Sequence, residues 1–135
     1  MDRVFLDANV LFSVAYRTDA GLQRLWTLKN VTLITSVYAL EEARVNLSTR
    51  EQRIRLANLA RALHLVTSLP THPLPTGVHL PAKDHPILLA AMAANATHLL
   101  AGDVKHFGPY YGQTIAGILI LPPATYLHGR LTAPE

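Results

Sequence analysis

The sequence predicts an α/β fold with a central, mostly parallel sheet of four or five strands flanked by helices. Three observations carry this prediction. Short apolar runs alternate with longer segments of helical periodicity, the order that builds parallel sheets. Half of the 135 residues are hydrophobic and only 16% are charged, a balance that supplies an apolar core and argues against disorder. The length suits one domain over residues 1–135, with a short C-terminal helix or tail from about residue 122.

The elements follow in order. Val4-Phe5-Leu6 is a brief apolar run ended by a polar residue, as in a covered central strand. Asp7-Ala8-Asn9 comes directly after it, and Val10 to Tyr16 reads as a helix. Asp19 is placed to cap a second helix through Leu22, Leu25, Trp26 and Leu28, closed by Asn30. Val31 to Thr35 is rich in β-forming residues. Ser36 is a good N-cap for a helix through Leu40, Ala43 and Leu47. Past Ser48-Thr49, Leu56, Leu59, Ala60 and Leu63 form the apolar stripe of a further helix. Its other face carries Arg53, Arg55, Asn58 and Arg61. A third strand is expected over residues 64–67. Four prolines (Pro70, Pro73, Pro75, Pro81) and Gly77 then make residues 68–81 a loop. Lys83 or Asp84 opens a helix that tolerates Pro86 in its first turn and runs to about Ala96. Residues 97–101 are a strand broken by Gly102-Asp103, residues 118–121 are the last strand, and Pro122-Pro123 starts a terminal helix.

Composition narrows the chemistry. There is no cysteine, which excludes disulfides, thiolate metal sites and cysteine nucleophiles. Met1-Asp2-Arg3 leads into a segment carrying Asp7, with no cleavage pattern of a secretory signal. The longest apolar run, residues 87–102, contains Asn95, Thr97 and His98 and is too short and polar to span a bilayer. A cytoplasmic protein without membrane association is therefore expected. Twelve basic against nine acidic residues give a formal charge of +3, which favours anionic partners. Five of the basic residues, Arg44, Arg50, Arg53, Arg55 and Arg61, cluster in one stretch.

The candidate constellation is Asp7, Glu42 (or Glu41), Asp84 and Asp103. Asp7 and Asp103 each follow a predicted strand, and open α/β sheets bind ligands beyond the carboxyl ends of their strands. Each acid also has an ordinary reading: Asp7 and Asp84 as helix caps, Asp103 as a turn residue, Glu41 and Glu42 as solvated surface charges. Helical geometry does not choose between the two glutamates, which flank the Leu40, Ala43, Leu47 stripe at similar angles. Gathered in one crevice, four carboxylates would repel one another, and a divalent cation relieves that repulsion. Carboxylate oxygens are hard donors suited to Mg²⁺ or Mn²⁺. Such an ion activates water and neutralises phosphate charge, so the expected chemistry is phosphodiester hydrolysis without a covalent intermediate.

The segments VFLDANVLF (residues 4–12), TSVYALEEARVNL (residues 35–47) and KDHPILLAAMAANATHLLAGDVKHF (residues 83–107) resemble the three motif regions of the PIN-domain family. The last is the most specific, joining an acidic helix start, an alanine-rich helix, a strand and a Gly-Asp-x-x-His-Phe ending. The resemblance spans roughly residues 2 to 125. It implies a PIN-like three-layer fold and a metal-dependent ribonuclease, including the VapC-like toxins of toxin–antitoxin pairs. It implies that Asp7, Glu42, Asp84 and Asp103 are the catalytic and metal-binding carboxylates, with Asn9 and Ser36 supporting them. It implies Mg²⁺ or Mn²⁺ as cofactor, an RNA substrate, a cognate antitoxin and a homodimer. One departure is visible: the family often has threonine or serine two positions before the last aspartate, and here Ala101 stands there.

Other residues bear on the same chemistry. His85 and His106 adjoin Asp84 and Asp103 and could face a phosphate, while none of the seven histidines has zinc-site spacing. The basic helix face could follow an RNA backbone. Trp26, Tyr16, Tyr110 and Tyr111 could stack on bases, although scattered aromatics are usually core. A non-catalytic RNA-binding or interaction module that keeps the fold is the alternative reading. A haloacid-dehalogenase-type phosphatase would want Asp-x-Asp, and Asn9 occupies its second acidic position. A receiver domain would want paired acids near the first strand and a phosphoacceptor after the third, which the sequence lacks.

Overall fold

A computed structural model describes residues 1–18, 20–68 and 72–132; Asp19 and Pro70 lie outside the described residues. Strand β1 (Asp2–Leu6) leads into α1 (Ala8–Tyr16), and β2 (Val31–Ser36) into α2 (Val37–Asn46) and α3 (Arg50–Ala60). Strand β3 (His64–Val66) precedes the proline-rich stretch. Helix α4 (His85–Ala93), β4 (His98–Leu100), β5 (Thr114–Ile115), β6 (Ile118–Leu121) and α5 (Pro123–Thr132) complete the order. The sheet runs β3-β2-β1-β4-β6-β5, and every pairing is parallel except β5 with β6. The mostly parallel α/β architecture is as expected, with six strands rather than four or five.

Burial explains why β1 sits centrally. Val4, Phe5 and Leu6 are all fully buried, and consecutive strand residues point to opposite faces, so both faces of the sheet are covered. Leu99 and Leu100 repeat this on β4. Helix α4 buries Ile87 through Ala91 without a break, so it is a core helix with no polar stripe. Helix α1 packs on α2 and α3, and α4 packs on β2 and α2. Among the described residues, no helix is long and apolar enough to cross a membrane.

Local signals place the helix starts. The Ser36 hydroxyl accepts the Ala39 N–H at 3.1 Å and caps α2. Thr49 and Gln52 form a reciprocal capping box at the start of α3. The expected second helix is instead a 3₁₀ segment, Gly21–Thr27. Gln23 donates to the carbonyls of Val14 and Arg17, and Trp26 Nε1 donates to Leu59 O. These bonds pin the segment to the ends of α1 and α3.

The extra strand, β5, has a physical reason for escaping sequence analysis. The β5–β6 hairpin turns through Ala116 (φ 51°) and Gly117 (φ 80°), both left-handed as a type I′ turn requires. Alanine is a poor choice there and hides the usual Asn-Gly signal. Ala116→Asn should therefore raise stability by about 1 kcal/mol, read as a higher urea midpoint at unchanged slope. A lower midpoint would contradict the strain at this position.

Candidate active site

Strand order decides where a crevice forms. Strand β1 lies between β2 and β4, so successive crossovers leave it in opposite directions and open a gap at the carboxyl ends. Asp7 follows β1 into this gap. It is buried, its N–H donates to Leu100 O at 3.0 Å, and its Oδ1 accepts the Ala8 N–H at 2.7 Å. Burial pushes the Asp7 carboxyl up to about 7; the Ala8 N–H opposes this, and the charges of Asp84, Glu42 and Asp103 add to it. The four predicted acids are thus electrostatic neighbours, though each comes from a different part of the chain.

Two of them meet closely. Asp84 ends a 3₁₀ turn, Ala82–Asp84, at the start of α4, yet its side chain makes no capping hydrogen bond. Its Oδ2 is sealed from solvent and accepts no hydrogen bond. Burial raises the Asp84 carboxyl above its ordinary range, Lys83 and His106 pull it back, and Asp103 adds to the rise. Asp103 sits beyond β4 in a turn closed by Phe107 N–H donating to Asp103 O at 2.9 Å. Its Oδ1 accepts the His106 N–H at 3.2 Å, and its Oδ2 lies 2.7 Å from His106 Nδ1. Burial pushes Asp103 up, but these bonds and the imidazole bring it below the ordinary aspartate value. Candidate ligand atoms of Asp84, Asp103 and His106 all lie within 4.8 Å of one another. Asp7 and Glu42 stand outside this tight group.

The two glutamates of α2 part ways. Glu41 is exposed and pairs with Arg44 one turn later, which holds its carboxyl below the usual range. Glu42 lines an open groove of about 340 Å³ with Ala8, Asn9, Phe12, Ala43 and Asn46. That groove adjoins Asp7 through Ala8 and Asn9. Asn9 itself accepts the Gly102 N–H at 3.0 Å and so ties the start of α1 to the loop that carries Asp103.

Several further residues support these positions through long-range hydrogen bonds. The buried Thr35 hydroxyl donates to Leu6 O at 2.8 Å, just before Asp7. Tyr38 donates to Lys83 O at 2.8 Å, joining α2 to the turn that holds Asp84. Tyr111 donates to the carbonyl of Ala101. Ala101 is fully buried, and the phenol reaches its carbonyl two residues before Asp103. Burial, then the charges of Asp103 and Asp7, hold the Tyr111 phenol protonated. Only hydrophobic or short polar patterns mark these residues in the sequence, and a long-range hydrogen bond leaves no periodic trace.

Other candidates resolve differently. His85 Nε2 lies 2.8 Å from Leu80 O and braces the proline-rich stretch. Arg55 donates to Ala15 O at 2.9 Å, and Arg53 to Arg44 O at 3.3 Å. Those guanidiniums cover carbonyls near the ends of α1 and α2, where the helix dipole is negative. Trp26, Tyr110 and Tyr111 are each hydrogen-bonded to backbone. Tyr16 alone of the four aromatics is largely exposed, its ring tilted against Phe12 at 5.4 Å between centroids.

The family model for the PIN domain matches residues 3–105. Two solved structures share the fold. VapBC2 from Rickettsia felis, bound to a DNA fragment from their promoter, aligns with a TM-score of 0.63 at 18% identity over 89% of this chain and 98% of that one. VapBC-1 from nontypeable Haemophilus influenzae aligns with a TM-score of 0.57 at 16% identity over 90% and 98%. No curated protein matches significantly in sequence.

Proposed function

The chain belongs to the PIN-domain family, and from that premise we propose that it is a divalent-metal-dependent endoribonuclease serving as the toxin of a toxin–antitoxin pair. One observation carries the reading. Asp84 Oδ2 is buried without a hydrogen bond while it faces Asp103 and His106, an arrangement costly to keep unless a cation comes to it. The donor set is mainly carboxylate oxygen, which fits Mg²⁺ or Mn²⁺.

Asp84 and Asp103 would hold the ion, with Asp7 and Glu42 completing the acidic wall. When bound, the ion polarises water for attack and offsets charge on the phosphate. The chain's own residues prepare the rest. Asn9 holds the loop that presents Asp103, and Ser36 caps the helix that presents Glu42. With its carboxyl pushed up to about 7, Asp7 keeps its proton below neutrality, and a cation competes with that proton for its oxygens. Lys83, exposed beside Asp84, supplies positive charge for the RNA backbone.

The likeness to two VapBC assemblies supports a cognate antitoxin as partner. A homodimer working in the cytoplasm, with residues 1–135 as one nuclease unit, completes the proposal. The test is RNA cleavage by the purified chain with Mn²⁺ or Mg²⁺, and with EDTA. Cleavage that EDTA abolishes is expected. RNA binding without cleavage under either ion would favour a non-catalytic module, for which the missing hydroxyl at Ala101 is the one favourable feature.

A further inference from the structure

His106 occupies a place that the carboxylates alone do not explain. Its Nδ1 lies 2.7 Å from Asp103 Oδ2 and 3.3 Å from Asp84 Oδ2, so one nitrogen faces both acids. The second of these oxygens is the buried one that accepts no hydrogen bond. The ring is held where it is. The backbone N–H of His106 donates to Asp103 Oδ1, and the neighbouring Phe107 is fully buried and anchors the turn. A side chain placed only to orient Asp103 would need one contact, whereas this one sits between two ligand atoms.

We propose that His106 Nδ1 is itself a metal ligand, together with Asp84 and Asp103, and that this nitrogen biases the site toward Mn²⁺ over Mg²⁺. The inference rests on the metal-site reading above. Imidazole nitrogen is a borderline donor that first-row transition ions accept readily. Mg²⁺ demands oxygen ligands and keeps much of its water, so a fixed nitrogen in the set penalises it. In the ligated state the ring proton sits on Nε2, leaving the Nδ1 lone pair for the ion.

Binding of Mn²⁺ and of Mg²⁺ to the metal-free 135-residue chain, measured by calorimetry, tests this without reference to activity. The ratio of the two affinities should fall by roughly tenfold or more in His106→Gln, which offers an amide oxygen instead. Pulsed EPR of Mn²⁺ on the wild type should show nitrogen coupling that is absent in His106→Gln. The wild-type spectrum needs no variant to fold. Equal loss of both ions in His106→Gln, or no nitrogen coupling in the wild type, would overturn the proposal. If the wild type binds Mn²⁺ and Asp103→Asn weakens it while His106→Gln does not, the metal site stands and His106 is only an orienting residue. If the wild type binds neither ion, the metal-site reading itself falls.

Discussion

Asp103→Asn should lower RNA cleavage by roughly 10³-fold, because a bound ion contributes several kcal/mol to such chemistry and each 1.36 kcal/mol is tenfold. The substitution is conservative where structure is concerned. Asparagine Oδ1 can still accept the His106 N–H, and its amide can donate to Nδ1, so the turn survives. What is lost is the negative charge beside Asp84. Glu42→Gln should also reduce cleavage, since Glu42 lines the groove beside Asp7. Glu41→Ala is the control: its carboxylate pairs with Arg44 on the surface, where such pairs contribute little. Induced expression in bacteria gives a second readout, with growth arrest by the wild type and not by Asp103→Asn. Equal cleavage by wild type and Asp103→Asn would remove the proposed mechanism.

A large effect on stability is expected at Asp7. Its carboxyl titrates at about 7 in the fold against an ordinary 3.8. Between these pH values the folded chain keeps a proton that the unfolded chain has released, so raising the pH favours unfolding. The loss begins near pH 4, grows to pH 7 and is complete above it. At about 1.4 kcal/mol per pH unit it amounts to at most about 4 kcal/mol. Asp7→Asn should remove this dependence and make the metal-free protein more stable than wild type at pH 8, with little difference at pH 4. Urea midpoints at the two pH values check it. Mn²⁺ at pH 8 should restore more stability to the wild type than to the variant, because it binds the deprotonated folded site. A wild type more stable at pH 8 than at pH 5 without metal would contradict the burial argument. The largest cause is burial of the carboxyl, and the neighbouring acidic charges add to it.

The legible part of the fold follows from local rules. The buried run of Val4, Phe5 and Leu6, the cap at Ser36 and the stripe through Leu56 each carry their own periodic or capping signal. The two-residue strand β5 carried none, because Ala116 does not advertise a left-handed turn. The 3₁₀ segment at Gly21–Thr27 looked helical by its leucines, but its form is set by bonds to α1 and α3.

The same division runs through the site. Order along the chain was enough to determine that acids follow β1 and β4, since a parallel sheet places its carboxyl ends together. Tertiary packing alone decided which glutamate turns inward, because residues 41 and 42 flank the same apolar stripe and only the position of α1 against α2 separates them. It also decided that His106 joins Asp84, 22 positions earlier, whereas His85 turns to Leu80. Spacing reports only neighbours within a turn or a strand; contacts across the crevice exist once the whole core has closed around it.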